Sequence, residues 1–505
     1  MEANQVMLAR REKFEEIKAT GKVMFPNDFK PKHKIADIIK KYKHIEDKQE
    51  IINAADGEVF SIAGRVMFLR KMGKLAFVRV QDGSADIQIA ISVDGVGIDE
   101  FKFFKDAIDL GDLVGATGTM GMTNTGEMTL QITDWRLLNK TLRPLPDKFH
   151  GLSDTEVRYR QRYVDLIMNK DVRETFRKRS QVIQEIRNYF AAKDYMEVET
   201  PAMQVLQGGA SAEPFVTHHN ALDMPMYMRV APELYLKRLV VGGFDRVFEI
   251  GKNFRNEGTS ARHNPEFTML EWYGTHMNYH DQMDFVQDLM TDVCQKVTGG
   301  LELTYGENKI SFKAEDWARL PMKDALKKWG GATDEDLKDE DSMRAFAKAN
   351  KVHIKDNWTY GYIVNECFEE LCEHHIVNPT FIMDHPIEVS PLAKLHEGST
   401  TETERAELFI AGREYSNLFS ELNDPIDQAE RFADQMEQAR QGDDEAMPYD
   451  KDFVRALEYG LMPTGGAGLG IDRFIMLLTN APSIRDVIFF PHMKPEAATV
   501  VEEIE

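Results

Sequence analysis

The chain has 505 residues, 42% of them hydrophobic and 29% charged, enough for two to four domains and at least one large core. Lys+Arg 62 against Asp+Glu 84 gives a formal net charge of −22, which argues against non-specific nucleic-acid binding over the whole surface but not against a local basic patch. Cys294, Cys367 and Cys372 fit neither a zinc site nor an even disulfide framework, no apolar run follows the charged start, and no stretch reaches about 18 apolar residues, so a cytoplasmic protein with no secretory signal and no membrane span is expected.

Residues 1–58 read as an N-terminal helical extension. Its first helix runs to about residue 24, with Leu8, Phe14 and Ile17 as a thin apolar seam and Gly21 and Pro26 as stops. A basic cluster from Lys30 to Lys43 follows, most simply a solvated face. Over residues 59–140 the pattern changes to five short strands, near 60–68, 76–81, 85–91, 113–119 and 127–132, with a helix before the fourth. That order suggests a small barrel of the OB type, which binds single-stranded nucleic acid through stacked aromatics and polar side chains. Phe77, Gln88 and Glu127 are available for that role, although Phe77 reads equally well as core. Residues 141–175 read as a linker, broken by Pro144 and Pro146. Within it, Arg158-Tyr-Arg-Gln-Arg-Tyr163 is a basic, aromatic turn of helix that either contacts phosphates or joins two domains.

The remaining 176–505 form the largest domain. Arg177 to Lys193 is an amphipathic helix, Tyr195 to Pro201 and Met226 to Ala231 are strands, Gln207 to Ala212 is a glycine loop, and Glu233 opens a helix. Arg246 to Tyr273 reads as strand, loop, strand. Arg255 and Glu257 face the same way in its first arm, and Arg262 and His263 sit in a loop from Gly258 to Pro265. Phe267, Met269, Glu271 and Tyr273 share one face of the second arm. A strand buried for packing alone would not carry such charges, so this hairpin reads as a ligand floor. Residues 282–395 read as a helical insertion. Glu407 to Glu421 is another hairpin, with Asn417, Phe419 and Glu421 on one face, followed by a helix from Pro425 to about Gln441. Near the end, a glycine strand from Gly465 runs into an apolar helix containing Arg473.

Arg255, Arg262 and Arg473 could together clamp a triphosphate, because arginine stays ionised and grips oxygens bidentately. Gly468 and Gly470 permit close backbone approach, or are simply structural. Neither a P-loop nor a Rossmann fingerprint is present. Glu407 and Glu414 fall nearly opposite one another across a turn at Ala411-Gly412, as Mg²⁺ ligands or as a pair of surface glutamates. No nucleophile constellation is present, so an enzyme of this sequence would work by positioning and charge stabilisation.

Three motif regions then carry a resemblance over nearly the whole chain. They are the helix and strand ending in Glu199-Thr-Pro201, the Phe254-Arg-Asn-Glu257 and Arg262-His-Asn-Pro-Glu-Phe267 hairpin, and Gly468-Leu-Gly-Ile-Asp-Arg473. Together they resemble the class II lysyl-tRNA synthetases of bacterial type. Pro144 to Gly151, Arg158 to Tyr163, Ala231 to Arg238 and Ser420 to Asp424 narrow the resemblance to the lysine branch. The resemblance implies an α+β fold: a six-stranded antiparallel sheet flanked by helices, behind an OB-fold anticodon-binding barrel. It implies activation of L-lysine by ATP to lysyl-adenylate, transfer of lysine to tRNA(Lys), and a homodimer formed through the first motif region. It assigns ATP to Arg255, Glu257, Arg262, His263, Phe267, Glu407, Gly470 and Arg473, with Arg255, Arg262 and Arg473 catalytic. Lysine would meet Gly209, Glu233, Arg255, Glu271, Tyr273, Asn417, Phe419, Glu421 and Gly468. Up to three Mg²⁺ ions would accompany ATP, held by Glu407 and Glu414, and the anticodon would meet Arg70, Phe77, Gln88 and Glu127.

The charge argument agrees with that substrate, since a lysine site needs a carboxylate at its far end and Glu421 supplies one. A protein-lysylating relative would lack the barrel, and a lapsed binding protein would have lost charged site positions; neither loss occurs here. Glu213, Ser416, Leu418, Ala406, Leu69 and Lys71 depart from the family pattern. Leu418 either narrows the pocket or points away from it.

Overall fold

In the computed structural model the described residues are 2–146, 154–210, 212–440 and 447–495. Part of the Pro144–Gly151 stretch, Ser211 of the glycine loop and Gln441 lie outside them. The chain divides into two units, Met1–Ser153 and Asp154–Glu505.

In the first unit, strands β1 (Val59–Met72), β2 (Leu75–Gln81), β3 (Asp86–Ser92), β4 (Leu113–Met122) and β5 (Met128–Asn139) close a barrel in the order β1-β2-β3-β5-β4. Alternation decides what fills it: Ala76, Val78 and Val80 point inward and are fully buried, while Phe77 and Arg79 point outward. Three helices, Glu2–Ala19, Ile35–Tyr42 and Lys48–Ala55, precede the barrel, and Ile17, Ile35, Ile38 and Tyr42 share its core. The seam of the first helix differs from the expected one, because Leu8 is 60% exposed. Arg10 is buried instead, donating to Thr141 Oγ1 at 2.8 Å and to the Leu110 carbonyl at 2.9 Å.

The second unit begins with helix where linker was expected. Thr155–Arg160, Arg162–Met168 and Lys170–Ala191 are helices, so the long helix starts well before Arg177. The basic turn lies within the second unit, and the contacts of Arg162 are internal to it. Arg162 is fully buried, pairs with Asp165 at 2.7 Å and donates to the Arg485 carbonyl at 2.7 Å and the Phe489 carbonyl at 3.1 Å. Strand β6 (Met196–Glu197) is short. Strands β7 (Met203–Gln204), β8 (Val216–His219) and β9 (Met224–Met228) make a small separate sheet. Then come the helix Glu233–Val241, β10 (Arg246–Phe254), β11 (Glu266–Thr275) and the helix Tyr279–Thr298, opened by an Asn278/Asp281 capping box.

The expected helical insertion also carries strands: a hairpin of β12 (Glu302–Tyr305) and β13 (Asn308–Ser311), then β14 (Ala318–Pro321) and β15 (Thr380–Met383). With β16 (Arg405–Phe409), β17 (Glu414–Ser420) and β18 (Thr464–Gly470), the main sheet is ordered β14-β15-β16-β17-β18-β11-β10-β6. It has eight strands rather than six. The six central ones are antiparallel, and β14 and β6 add short parallel edges. One face of the sheet packs on Val182, Ile186, Phe190, Val286 and Leu289 from the two long helices, and part of the other, through Val247, Tyr273 and Phe419, packs with Leu236, Phe432 and Phe453. Among the described residues no helix is long and apolar enough to cross a membrane.

Candidate active site

The centre of the sheet is built around missing side chains. Gly468 of β18 pairs with Glu271 of β11 on one side and Asn417 of β17 on the other, and Gly470 pairs with Met269. The intervening Ala467 and Leu469 face the core, so the glycines leave the floor open between polar neighbours. A cavity of about 110 Å³ is lined by Arg255, Glu257, Arg262, His263, Phe267 and Arg473, together with Gly468 and Gly470. A second, of about 430 Å³, is lined by Gly209, Glu233, Arg255, Glu407, Asn417 and Phe419. Arg255, Glu414 and Asn417 line both.

Arg255 and Glu257 do not lie on a strand as expected, since β10 ends at Phe254. They open a loop of residues 255–265, closed by the Arg255 N–H donating to the Pro265 carbonyl at 2.9 Å. The Arg255 guanidinium stands 5.2 Å from the Phe267 ring centroid, and its Nε is buried without a hydrogen-bond partner. Burial lowers its pKa while Glu257 and Glu414 support the charge. Arg473 is fixed by donation to the Glu414 carbonyl at 2.7 Å and contact with its carboxylate at 3.2 Å. Its Nη2 lies 3.3 Å from His263 Nε2, and burial followed by this positive neighbour lowers the histidine pKa. Arg262 is exposed and makes no ion pair among the described residues, so its charge is free for an anion.

The residues expected to meet lysine are more enclosed. Glu233, Glu271, Tyr273 and Glu421 are all buried, and the Tyr273 hydroxyl donates to Glu271 Oε1 at 2.6 Å. Gly209 has φ +87°, and a Cβ there would stand 2.9 Å from Glu233 Cβ, so glycine is required for that approach. Glu421 lines neither of these cavities; it is in ion-pair contact with Lys237, yet neither of its carboxylate oxygens has a well-directed hydrogen bond.

Glu407 and Glu414 are not cross-strand partners. Glu407 faces Asn417 and Glu414 faces Phe409, because a bulge shifts the register between Leu408 and Phe409. Both nevertheless line a third cavity of about 350 Å³ with Glu369, Glu373, Arg262 and Arg473. Among the described residues no three His, Cys, Asp or Glu side chains gather as a ready-made metal site. Two carboxylates lining a cavity together with Arg262 and Arg473 fit Mg²⁺, which is usually held by one or two carboxylates and completed by phosphate oxygens and water.

In the first unit, Arg70 pairs with Phe77 in register, and Arg79 with Gln88. Phe77 is half-buried on the outer barrel face, which decides against core. Gln88 donates to Thr129 Oγ1 at 2.9 Å, and Glu127 is paired with Arg79. Phe68, 49% exposed and opposite Arg79, joins the same face.

Sequence reasoning missed Phe68 and Arg79, although alternation from Arg70 and Phe77 would have found them. It also missed Arg405, two residues before Glu407 and facing the same way. Arg405 donates to Asn417 Oδ1 at 3.0 Å and to Glu407 at 2.5 Å. Lys237, which joins Glu233 and Glu421, had only its spacing from Glu233 to mark it. The departures from the family pattern resolve simply. Leu418 is fully buried, points into the core, and is flanked in register by Ala406 and Ala467, whose small side chains leave room for it. Ser416 is buried and donates to the Gly468 carbonyl at 2.8 Å, and Glu213 is exposed. Leu69 packs against the barrel core, and Lys71 Nζ lies 3.3 Å from the Ile108 carbonyl.

A mostly antiparallel sheet with an arginine-walled cavity at its glycine strand, accompanied by a five-stranded barrel, defines a recognisable class. The family model for class II tRNA synthetases (D, K and N) matches residues 154–494, and that for the OB-fold nucleic-acid-binding domain matches residues 60–138. Lysine–tRNA ligase of Laribacter hongkongensis is 51% identical over 98% of this chain and 97% of its own. That of Dichelobacter nodosus is 51% identical over 98% of each, and the heat-inducible lysine–tRNA ligase of Escherichia coli K12 is 51% identical over 98% and 97%. The chain belongs to the lysine–tRNA ligase family of the class II tRNA synthetases.

Proposed function

We propose that the protein activates L-lysine with ATP to lysyl-adenylate, releasing pyrophosphate, and then transfers the lysyl group to the terminal ribose hydroxyl of tRNA(Lys). The observation that carries this reading is Arg255, which lines both the arginine-walled cavity and the acidic one. ATP belongs to the first: Phe267 and Arg473 offer two faces for the adenine ring, and Arg262 and His263 lie toward the phosphates. Lysine belongs to the second, its α-ammonium near Gly209, Glu233 and Glu271 and its side-chain ammonium near Tyr273 and Glu421. Asn417, Phe419 and Gly468 shape the passage between.

Arg255 is then positioned to hold the lysine carboxylate against the α-phosphate. The carboxylate oxygen attacks phosphorus, the bond to pyrophosphate breaks, and the cation offsets the charge building on the phosphoryl oxygens. The orphaned Nε of Arg255 is a donor in waiting for those oxygens. Glu407 and Glu414 would hold Mg²⁺, which, when bound, neutralises phosphate charge. In the second step the ribose hydroxyl attacks the lysyl carbonyl and AMP leaves.

On the barrel, Phe77 offers a stacking surface, and Arg70, Gln88 and Glu127 offer groups for base edges. A homodimer is supported by the exposed apolar side chains Met196, Met203, Val205, Leu206, Val216 and Leu222 around the first motif region. A cytoplasmic setting follows from the partners, ATP and tRNA. ATP–pyrophosphate exchange tests the whole reading: it should require lysine, and robust exchange with aspartate but not lysine would overturn it.

A further inference from the structure

Among the described residues, Lys237 is the cation in ion-pair contact with both Glu233 and Glu421. It sits on the helix Glu233–Val241 and is fully buried, an uncommon place for an ammonium unless paired. Its Nζ lies 2.6 Å from Glu233 Oε1, one turn earlier on the same helix, and in contact with Glu421 Oε2 just after β17. The rings of Phe419, Tyr273 and Phe453 surround it at 5.3, 5.9 and 5.9 Å from their centroids. No other cation reaches Glu233 or Glu421 within ion-pair distance among the described residues.

We propose that Lys237 is a resident counter-cation of the amino-acid pocket. It keeps Glu421 ionised and aimed, and shares that carboxylate with the incoming side-chain ammonium, so that the pocket prefers a charged tip to a neutral one. The inference rests on the lysine reading of this site. It makes Lys237 a positioning residue for specificity, acting through Glu233 and Glu421.

Three buried carboxylates, Glu233, Glu271 and Glu421, face a single ammonium. Carboxylates gathered in a desolvated space take up protons unless a cation opposes it. Burial drives Glu233 and Glu421 upward in pKa, and Lys237 is the largest influence opposing that rise at both. Lys237 in turn is held above its ordinary range by the two carboxylates, against the effect of burial. The other groups in the cluster are Tyr273 and Glu271 on β11, Glu249 on β10, which acts on Glu271, and Arg405 on β16, which acts on Glu233. Oε2 of Glu421 is taken by Lys237, while Oε1 has no partner and lies over Gly466, where a Cβ would stand 2.1 Å away. On this proposal the substrate ammonium meets Oε1.

The test uses the full-length protein with Lys237→Met, of similar shape and no charge, and Lys237→Gln as a second neutral variant should the first misfold. In ATP–pyrophosphate exchange, KM for lysine should rise about tenfold or more near neutral pH, while KM for ATP stays within about twofold. The lysine defect should shrink as pH is raised from about 7 to about 9, because carboxylates that have lost their counter-cation recover charge only at higher pH. Inhibition by 6-hydroxynorleucine, whose tip is neutral, should weaken much less than lysine binding. Equal, pH-independent losses for lysine and the neutral analogue would reduce Lys237 to packing and overturn the proposal. Tighter lysine binding would also overturn it, by making Lys237 an occupant that substrate must displace. If the unaltered protein shows no lysine-dependent exchange, the lysine reading itself fails, which is a separate outcome.

Discussion

Glu271 has its carboxyl pushed up to about 8, first by burial and then by the charge of Glu233, so the free protein holds it protonated near neutral pH. An ammonium arriving beside it favours the ionised form. Lysine binding below about pH 8 should therefore release a proton, and affinity should rise with pH through that window. Calorimetry in buffers of different ionisation enthalpy measures this directly, and proton uptake would refute the assignment. Glu421 makes the other residue-scale prediction. Glu421→Gln should weaken lysine by about 2–4 kcal/mol with little effect on ATP, because it removes one charge of a buried pair. Comparable losses for both ligands, read from steady-state exchange, would mean the residue has a different role.

At the scale of elements, the site depends on β18 being almost free of side chains. An ideal Cβ on Gly466 would stand 2.1 Å from Glu421 Oε1 and 2.4 Å from the Tyr273 ring, and both neighbours are buried. Gly466→Ala should overpack the pocket, costing about 1–3 kcal/mol of stability and at least about tenfold in kcat/KM for lysine. Thermal unfolding and exchange together check it, and wild-type lysine kinetics would show that the pocket has slack there. The neighbouring β17 accommodates a bulky residue away from the cavity. Period two sends Asn417 and Phe419 toward the larger cavity and Leu418 into the core between two alanines. Alternation was readable in the sequence. Which face was wet was not, because that depends on the helices packed beneath the sheet.

At the scale of the molecule, two units with separate cores carry separate tasks. Phe77→Ala should leave lysine-dependent exchange unchanged while lowering kcat/KM for tRNA in aminoacylation, since one stacked base contributes about 1–3 kcal/mol. An equal loss in exchange would show that the barrel face has another role. The N-terminal helices belong to the barrel core through Ile17, Ile35, Ile38 and Tyr42, which composition alone did not reveal. The stretch expected to be linker shows a related effect. Pro144 and Pro146 do break the chain, but the helices after them hold Arg162, whose charge is satisfied by carbonyls more than 300 residues away.

The sequence by itself pointed to the barrel and the glycine strand through local period and turn residues, its short motifs carried the resemblance that implied the class of sheet, and it marked the arginines and carboxylates as candidates. Tertiary structure alone decided which charges meet. Glu407 was expected opposite Glu414 and faces Asn417 instead, through a one-residue bulge. The sequence marked neither Arg405 nor Lys237 as a site residue; the fold sets Arg405 against Asn417 and buries Lys237 against Glu233 and Glu421. A charge gains its meaning from its partners and from loss of water, and both are set by segments distant in the chain.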